Sequence, residues 1–211
     1  MIPVKICGIT SFADAQMVID QGVSAIGFIF YEKSPRVISI EKAKNISSNI
    51  SDSVHKVGVF VNNSSGFIEE VLSEVPLSSI QLHGDETPKF CRYFDVPVIK
   101  ALRISSKTNF QDLDKFNVKG FLFDSYSKGF YGGSGQTFNW SLLKNFSKQI
   151  PFILSGGLNP KNVKSAINQN FPFAIDVNSG VESSPGIKDL TLTKKLMNEL
   201  SSTKDTGFKF G

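Results

Sequence analysis

The stretch Phe152-Ile153-Leu154-Ser155-Gly156-Gly157-Leu158-Asn159-Pro160 compresses a strand, a turn and a helix start into one short segment. An apolar run ends in a glycine pair, and Asn159-Pro160 then supplies a capping side chain and a proline suited to a first helical turn. The next unit repeats this order, with Phe173–Val177 leading into Asn178-Ser179-Gly180-Val181-Glu182. Upstream lie six more β-branched or aromatic runs: Pro3–Cys7, Ala25–Phe30, Lys56–Val61, Ser79–Leu82, Val98–Leu102 and Gly120–Asp124. Helix-like segments separate them, at Ser11–Gln21, Ile40–Ser48, Ser65–Glu74, Glu86–Phe94, weakly at Asn109–Phe116, Trp140–Ser147, Pro160–Asn168 and, after the last run, Leu190–Ser201. Eight units in 211 residues leave about 26 residues each, enough for a strand, a crossover helix and two short loops. An open doubly wound sheet usually has fewer strands and a glycine-rich turn after the first, whereas here those turns come late. The expected fold is α/β, a single (β/α)8 TIM barrel over residues 1–204, followed by a C-terminal tail, 205–211, with no assigned role.

Composition narrows the function. The chain is 40% hydrophobic and 20% charged, with a formal charge of +4, as in ordinary globular proteins. Of its 23 basic residues only three are arginine (Arg36, Arg92, Arg103), and the lysines are scattered, so nucleic acid is not an expected partner. Two cysteines, Cys7 and Cys91, exclude a disulfide scaffold and have no metal-finger spacing. No stretch approaches the ~18 apolar residues of a membrane span, and the first residues do not read as a signal. A cytoplasmic protein acting on a small anion is expected.

In a barrel, chemistry lies where strands end at their C-terminal side. Cys7 and Asp124 close strands across the barrel from each other, and a thiol with a carboxyl can serve as base and acid without a metal. Each has a plainer reading, Cys7 as a small buried hydrophobe and Asp124 as a turn residue. The apolar Phe121-Leu122-Phe123 before Asp124 suggests a setting that keeps its proton available. Gly156, Gly157, Ser179 and Gly180, with Gly135 in Gly132-Gly133-Ser134-Gly135, offer backbone N–H groups to a phosphate. Arg36, in Ser34-Pro35-Arg36, has the planar fork that suits a carboxylate. His83 reads equally as a wall of the pocket or a cap for the following helix. Alternation places Lys5 on the face of Cys7, and Asp176 on the face of Asn178, on first and last strands that meet when the barrel closes. A buried ion pair beneath Cys7 is therefore expected. Cys91 and His55 are assigned to structure.

Several of these motifs together resemble the phosphoribosylanthranilate isomerase family of tryptophan biosynthesis. The resemblance runs through Val4-Lys5-Ile6-Cys7-Gly8-Ile9-Thr10, Gly27-Phe28-Ile29-Phe30 with Ser34-Pro35-Arg36, Val57–Asn62, Gln81-Leu82-His83-Gly84-Asp85-Glu86, Gly132–Gly135 with Phe138 and Trp140, Ser155–Leu158, and Ser179-Gly180-Val181-Glu182 with Pro185-Gly186-Lys188-Asp189. A cysteine-ended first strand with a histidine-ended fourth is its most specific element. It implies an aldose-ketose isomerase, an intramolecular oxidoreductase that needs no cofactor and no metal. Its reaction would be the Amadori rearrangement of N-(5-phosphoribosyl)anthranilate to 1-(2-carboxyphenylamino)-1-deoxyribulose 5-phosphate. By the same resemblance Cys7 is the general base, Asp124 the general acid and Arg36 the anthranilate anchor, with the glycine turns on phosphate; a monomer or homodimer is expected. Asn178 stands where that family often has serine. A different phosphosugar isomerase or a silent phosphometabolite binder are the alternatives; the silent binder would be expected to lose Cys7 or Asp124.

Overall fold

The computed structural model describes residues 1–211 apart from 107, 109, 126–139 and 147–149. Eight parallel strands close on themselves in sequence order: β1 (Val4–Cys7), β2 (Ala25–Ile29), β3 (His55–Phe60), β4 (Ser79–Leu82), β5 (Val98–Ile104), β6 (Gly120–Ser125), β7 (Phe152–Leu154) and β8 (Ala174–Val177). The barrel shuts through β1 and β8, in a register that sets Lys5 opposite Asp176. All eight expected runs are strands, with ends that differ by only a residue or two.

Alternation along each strand sorts the side chains into two environments. One parity (Val4, Ile6, Ile26, Phe28, Phe60, Ile80, Leu82, Phe121, Phe123, Phe152, Ile175) packs outward under the helices in the main core. The other parity points into the barrel and carries the site. The helices are α1 (Phe12–Ile19), α2 (Ile40–Ser48), α3 (Ser65–Glu74), α4 (Pro88–Cys91), α5 (Val163–Asn170) and α6 (Leu190–Leu200). The side chains of Ser11 and Ser39 accept from the N–H of Asp14 and Lys42, satisfying first-turn donors as their positions predict.

Where helices depart from expectation, a side chain has been diverted. Glu86 does not open α4: its carboxylate accepts from the N–H groups of Asn62 and Gly84 and pairs with Lys100, so the helix begins only after Thr87, whose hydroxyl caps it. Asn159 accepts from the N–H of Lys161, forming a turn that delays α5 to Val163. Phe110–Lys115 and Trp140–Asn145 are 3-10 turns rather than α-helices. A short antiparallel hairpin, β9 (Glu182–Ser184) with β10 (Ile187–Lys188), follows β8 and precedes α6.

The segment expected as a tail without a role is part of the packing. Inside the barrel, Ala25, Val57, Ile99, Ala101, Leu122, Ile153 and Ala174 form an apolar floor, and Phe210 sits among them, fully buried, with Phe208 against it. Barrel interiors are usually filled by bulky branched side chains. Here the three alanines leave space that strand residues do not fill. Thr206 donates its hydroxyl to the carbonyl of Phe173, and Gly207, at φ +72, turns the chain so that Phe208 and Phe210 meet edge to face at 5.3 Å. Phe210→Ala is expected to cost about 3–5 kcal/mol of stability. Because the floor lies at the opposite end from the strand termini that carry the site, kcat/KM should be retained. Denaturant unfolding alongside steady-state kinetics checks both halves; an unchanged midpoint would remove the floor from the stability account.

Candidate active site

The inward parity at the C-terminal ends of the strands brings Cys7, His83, Asp124, Ser155 and Asp176 into one buried cluster of layers, each at most 8% exposed. Cys7 stands in a small apolar group with Ile29, Val59 and Tyr31. Below it, Lys5 Nζ lies 2.7 Å from Asp176 Oδ1, both buried, and Ser155 Oγ lies 3.4 Å from Asp176 Oδ2. The buried ion pair read from alternation is present. Gly27 allows this close layering: a Cβ there would stand 2.9 Å from Cys7 Sγ and 3.1 Å from Lys5 Cε.

Burial pulls the Lys5 ammonium down, but Asp176 and Cys7 more than offset that and leave it above its ordinary value. Burial pushes the Cys7 thiol up, Lys5 and Lys188 pull it back, and Asp176 opposes them; the balance leaves it raised. A thiol lowered outright by the pair beneath it is therefore not what the structure shows. Cys91 is buried away from the mouth with its thiol pushed up to about 11 by burial, in keeping with a structural role.

Asp124 meets donors rather than the apolar walls expected from Phe121-Leu122-Phe123. Phe121 and Phe123 face the helices, while Asp124 Oδ1 accepts from the N–H of Ser125 at 2.7 Å, and Oδ2 lies 3.2 Å from His83 Nε2. Gln81 Nε2 lies 2.8 Å from His83 Nδ1, so a donating Gln81 amide leaves the ring proton on Nε2, beside Asp124. Thr87, not His83, caps the following helix, and the His83 ring lies beside Asp124. The loop bearing it is held from behind by Lys100, whose Nζ reaches the carbonyls of Leu82 and Gly84 and the Glu86 carboxylate.

Arg36 is buried in the mouth, but its side-on edge is already taken. Nε and Nη2 lie 2.7–3.1 Å from the Glu182 carboxylate. Among the described residues the end-on edge, Nη1 and the second hydrogen of Nη2, has no partner. Glu182 also accepts from Lys188 Nζ at 2.7 Å and from the N–H of Gly186. Sequence reading quoted Glu182 and Lys188 only within motifs; neither position showed that a hairpin after β8 would fold them back against Arg36.

The late glycine turns lie beside this cluster. Gly156 adopts φ +87, where a Cβ would meet the Ser125 nitrogen at 2.8 Å and Asp124 Oδ1 at 3.1 Å. A Cβ on Gly180 would overlap the Leu158 carbonyl, so that glycine is required for the two turns to touch. Ser179–Val181 form a 3-10 turn whose first residues receive no side-chain cap from Asn178. Gly157, at φ +64, accepts from the side chains of Asn159 and Asn162. Gly135 lies outside the described residues.

A closed eight-stranded parallel barrel with a buried thiol, a buried carboxyl and glycine turns at its strand ends is the architecture of the (β/α)8 enzymes. A family model described as N-(5'phosphoribosyl)anthranilate (PRA) isomerase matches residues 4–199, and the chain belongs to that family. Its members are isomerases of tryptophan biosynthesis, and this chain is one of them. The N-(5'-phosphoribosyl)anthranilate isomerase of Geotalea uraniireducens is 44% identical over 189 residues, covering 90% of this chain and 93% of that protein. The phosphoribosyl anthranilate isomerase structure from Thermus thermophilus superposes with a TM-score of 0.87 at 31% identity, over 96% of this chain and 100% of that one. Another isomerase structure, in complex with reduced 1-(o-carboxyphenylamino)-1-deoxyribulose 5-phosphate, gives 0.80 at 40% identity, over 95% and 99%. Among the described residues, no helix is long and apolar enough to cross a membrane.

Glu182 links the site to pH. Burial pushes its carboxyl up, but the hydrogen bond from Arg36 and the charge of Lys188 outweigh burial and hold it below its ordinary 4.5. Its contribution to stability is complete above that ordinary value and is lost as pH falls through the lower folded one. The stability gap between wild type and Glu182→Gln should therefore narrow in acid. Chemical denaturation across the acid range tests this; a gap that stays constant would refute the linkage.

Proposed function

We propose that this chain catalyses the Amadori rearrangement of N-(5'-phosphoribosyl)anthranilate to 1-(2-carboxyphenylamino)-1-deoxyribulose 5-phosphate, with Asp124 as acid and Cys7 as base. The observation that carries the reading is the placement of these two groups, buried and inward-facing at the ends of β6 and β1. Protonated Asp124 delivers its proton to the furanose ring oxygen as the C1–O bond breaks, and the anthranilate nitrogen lone pair closes an iminium. The Cys7 thiolate then removes the C2 proton, and the electron pair forms the C1–C2 double bond of the enolamine while neutralising the iminium nitrogen. Ketonisation moves a proton from the C2 hydroxyl to C1 and completes an isomerisation with no net change in atoms. The iminium adds positive charge beside a thiol that burial alone would keep protonated.

The turns at Gly156-Gly157 and Ser179-Gly180 take the phosphate, supported by uncapped first residues and close packing of the two turns. Arg36 takes the anthranilate carboxylate through its free end-on edge, and His83 lines the wall beside Asp124.

Cys7→Ser should be nearly inactive, since a hydroxyl is a far weaker base, and Asp124→Asn should be similarly impaired, since an amide delivers no proton. Both should still bind the reduced product analogue. Anthranilate-fluorescence kinetics with enzymatically generated substrate, paired with calorimetric binding, separates the two effects. Near wild-type turnover in Cys7→Ser would return the cysteine to packing.

Arg36→Lys should lower kcat/KM by roughly 10–100-fold, the worth of a charged hydrogen bond, because one ammonium does not hold Glu182 and a substrate carboxylate in two planar pairs. Unchanged kinetics would exclude Arg36 as the anchor.

A further inference from the structure

Among the described residues, two ammonium groups lie buried within electrostatic range of Cys7, and one of them has a counter-ion of its own at that depth. Lys5 spends its charge on Asp176, 2.7 Å away on the neighbouring strand. Lys188 comes from the other side, on β10, and its side chain is fully buried. Its Nζ lies 3.0 Å from Asn178 Oδ1. That same oxygen stands 2.8 Å from where a Cβ would project at Gly8, the residue after Cys7. The hairpin thus delivers Lys188 to the main chain beside the thiol. Glu182 pairs with Lys188, but Arg36 shares that carboxylate through three contacts of 2.7–3.1 Å.

The charges sum as follows. Lys5 and Asp176 cancel, and Glu182 cancels one of the pair Arg36 and Lys188. Among the described residues one positive charge is left over on this side of the mouth, Asp124 lying across it beside His83. Asp14 on α1 also approaches, but it accepts from the Lys188 main-chain N–H at 3.2 Å, is half-buried, and is screened by solvent. A buried cluster with one surplus positive charge becomes neutral when a thiol within it ionises, and ionisation is then favoured over the same burial without the surplus.

We propose that Lys188 is a positioning residue for proton abstraction: held by Asn178 and Glu182, its ammonium supplies positive charge that lowers the cost of ionising the buried Cys7 thiol. The inference builds on the reading of Cys7 as the base. Burial pulls the Lys188 ammonium down and Glu182 and Cys7 raise it without fully offsetting that, while Lys188 in turn pulls the Cys7 thiol down against its burial.

The test reads the thiol itself. In a Cys91→Ala background, the rate of iodoacetamide alkylation of Cys7 is followed by mass spectrometry across pH, since only the thiolate reacts. Lys188→Met should slow alkylation at neutral pH roughly tenfold and move its pH profile upward, whereas Lys188→Arg should keep the wild-type profile. Glu182→Gln removes a negative charge from the same cluster and should speed alkylation. Loosened packing would instead speed both Lys188→Met and Glu182→Gln, so that result overturns the proposal, as does a wild-type rate in Lys188→Met. Should Lys188→Met fail to fold, Lys188→Gln, which also removes the charge, takes its place with the same two expectations. The profile is read without substrate, so failure here is distinct from failure of the base assignment, which rests on turnover of Cys7→Ser.

Discussion

The barrel closes where Lys5 meets Asp176, and most of what the site does is conditioned by that one buried contact. Closure demands that β1 and β8 lie side by side, and the inward parity of both strands then forces their middle residues together. Apolar side chains at these positions would close the seam equally well and at lower desolvation cost. What an ion pair adds is polarity at a defined depth, directly under the Cys7 thiol. Ser155 from the adjoining strand extends the same polar layer. The barrel is therefore stratified, with an apolar floor, a charged middle and a reactive rim.

The rim is organised by a second group of charges that arrives from outside the strands. Arg36 comes from the loop after β2, Glu182 and Lys188 from the hairpin after β8, and Thr10 fixes that hairpin by donating to the Gly186 carbonyl. Loops distant in sequence are bound to each other by charges too deeply buried to separate cheaply. On the opposite side, Lys100 and Glu86 hold the loop of His83 in the same manner. Each wall of the mouth thus has its own buried counter-ion set, which keeps the side of Asp124 and the side of Cys7 electrostatically distinct.

Legibility in the sequence followed periodicity. All eight strands could be read because β-branched and aromatic runs recur at a regular interval; the polar residues that close the runs singled out Cys7 and Asp124, and alternation paired Lys5 with Asp176. Helix ends were less legible at Glu86 and Asn159, where a side chain that suits a helix start was taken by another partner. The Glu182–Arg36 bridge was invisible because no local pattern ties a loop after β2 to a hairpin after β8. The donors around Asp124 were misread for a different reason: the flanking phenylalanines suggested an apolar setting, yet alternation turns them to the other face of the sheet. Phe210 escaped notice because a Phe-Lys-Phe segment beyond the last helix has no period to reveal its destination, while the alanines that make room for it look like ordinary strand residues.

That floor bears on how the molecule assembles itself. Ala25 and Phe210 share one apolar cluster although almost the whole chain lies between them. Contacts of such separation carry a large loop-closure cost and are gained late. Most of the barrel has to be in place before the floor has a shape into which an aromatic ring can settle. The tail thus enters the barrel from below, into a space that only the closed ring of strands defines.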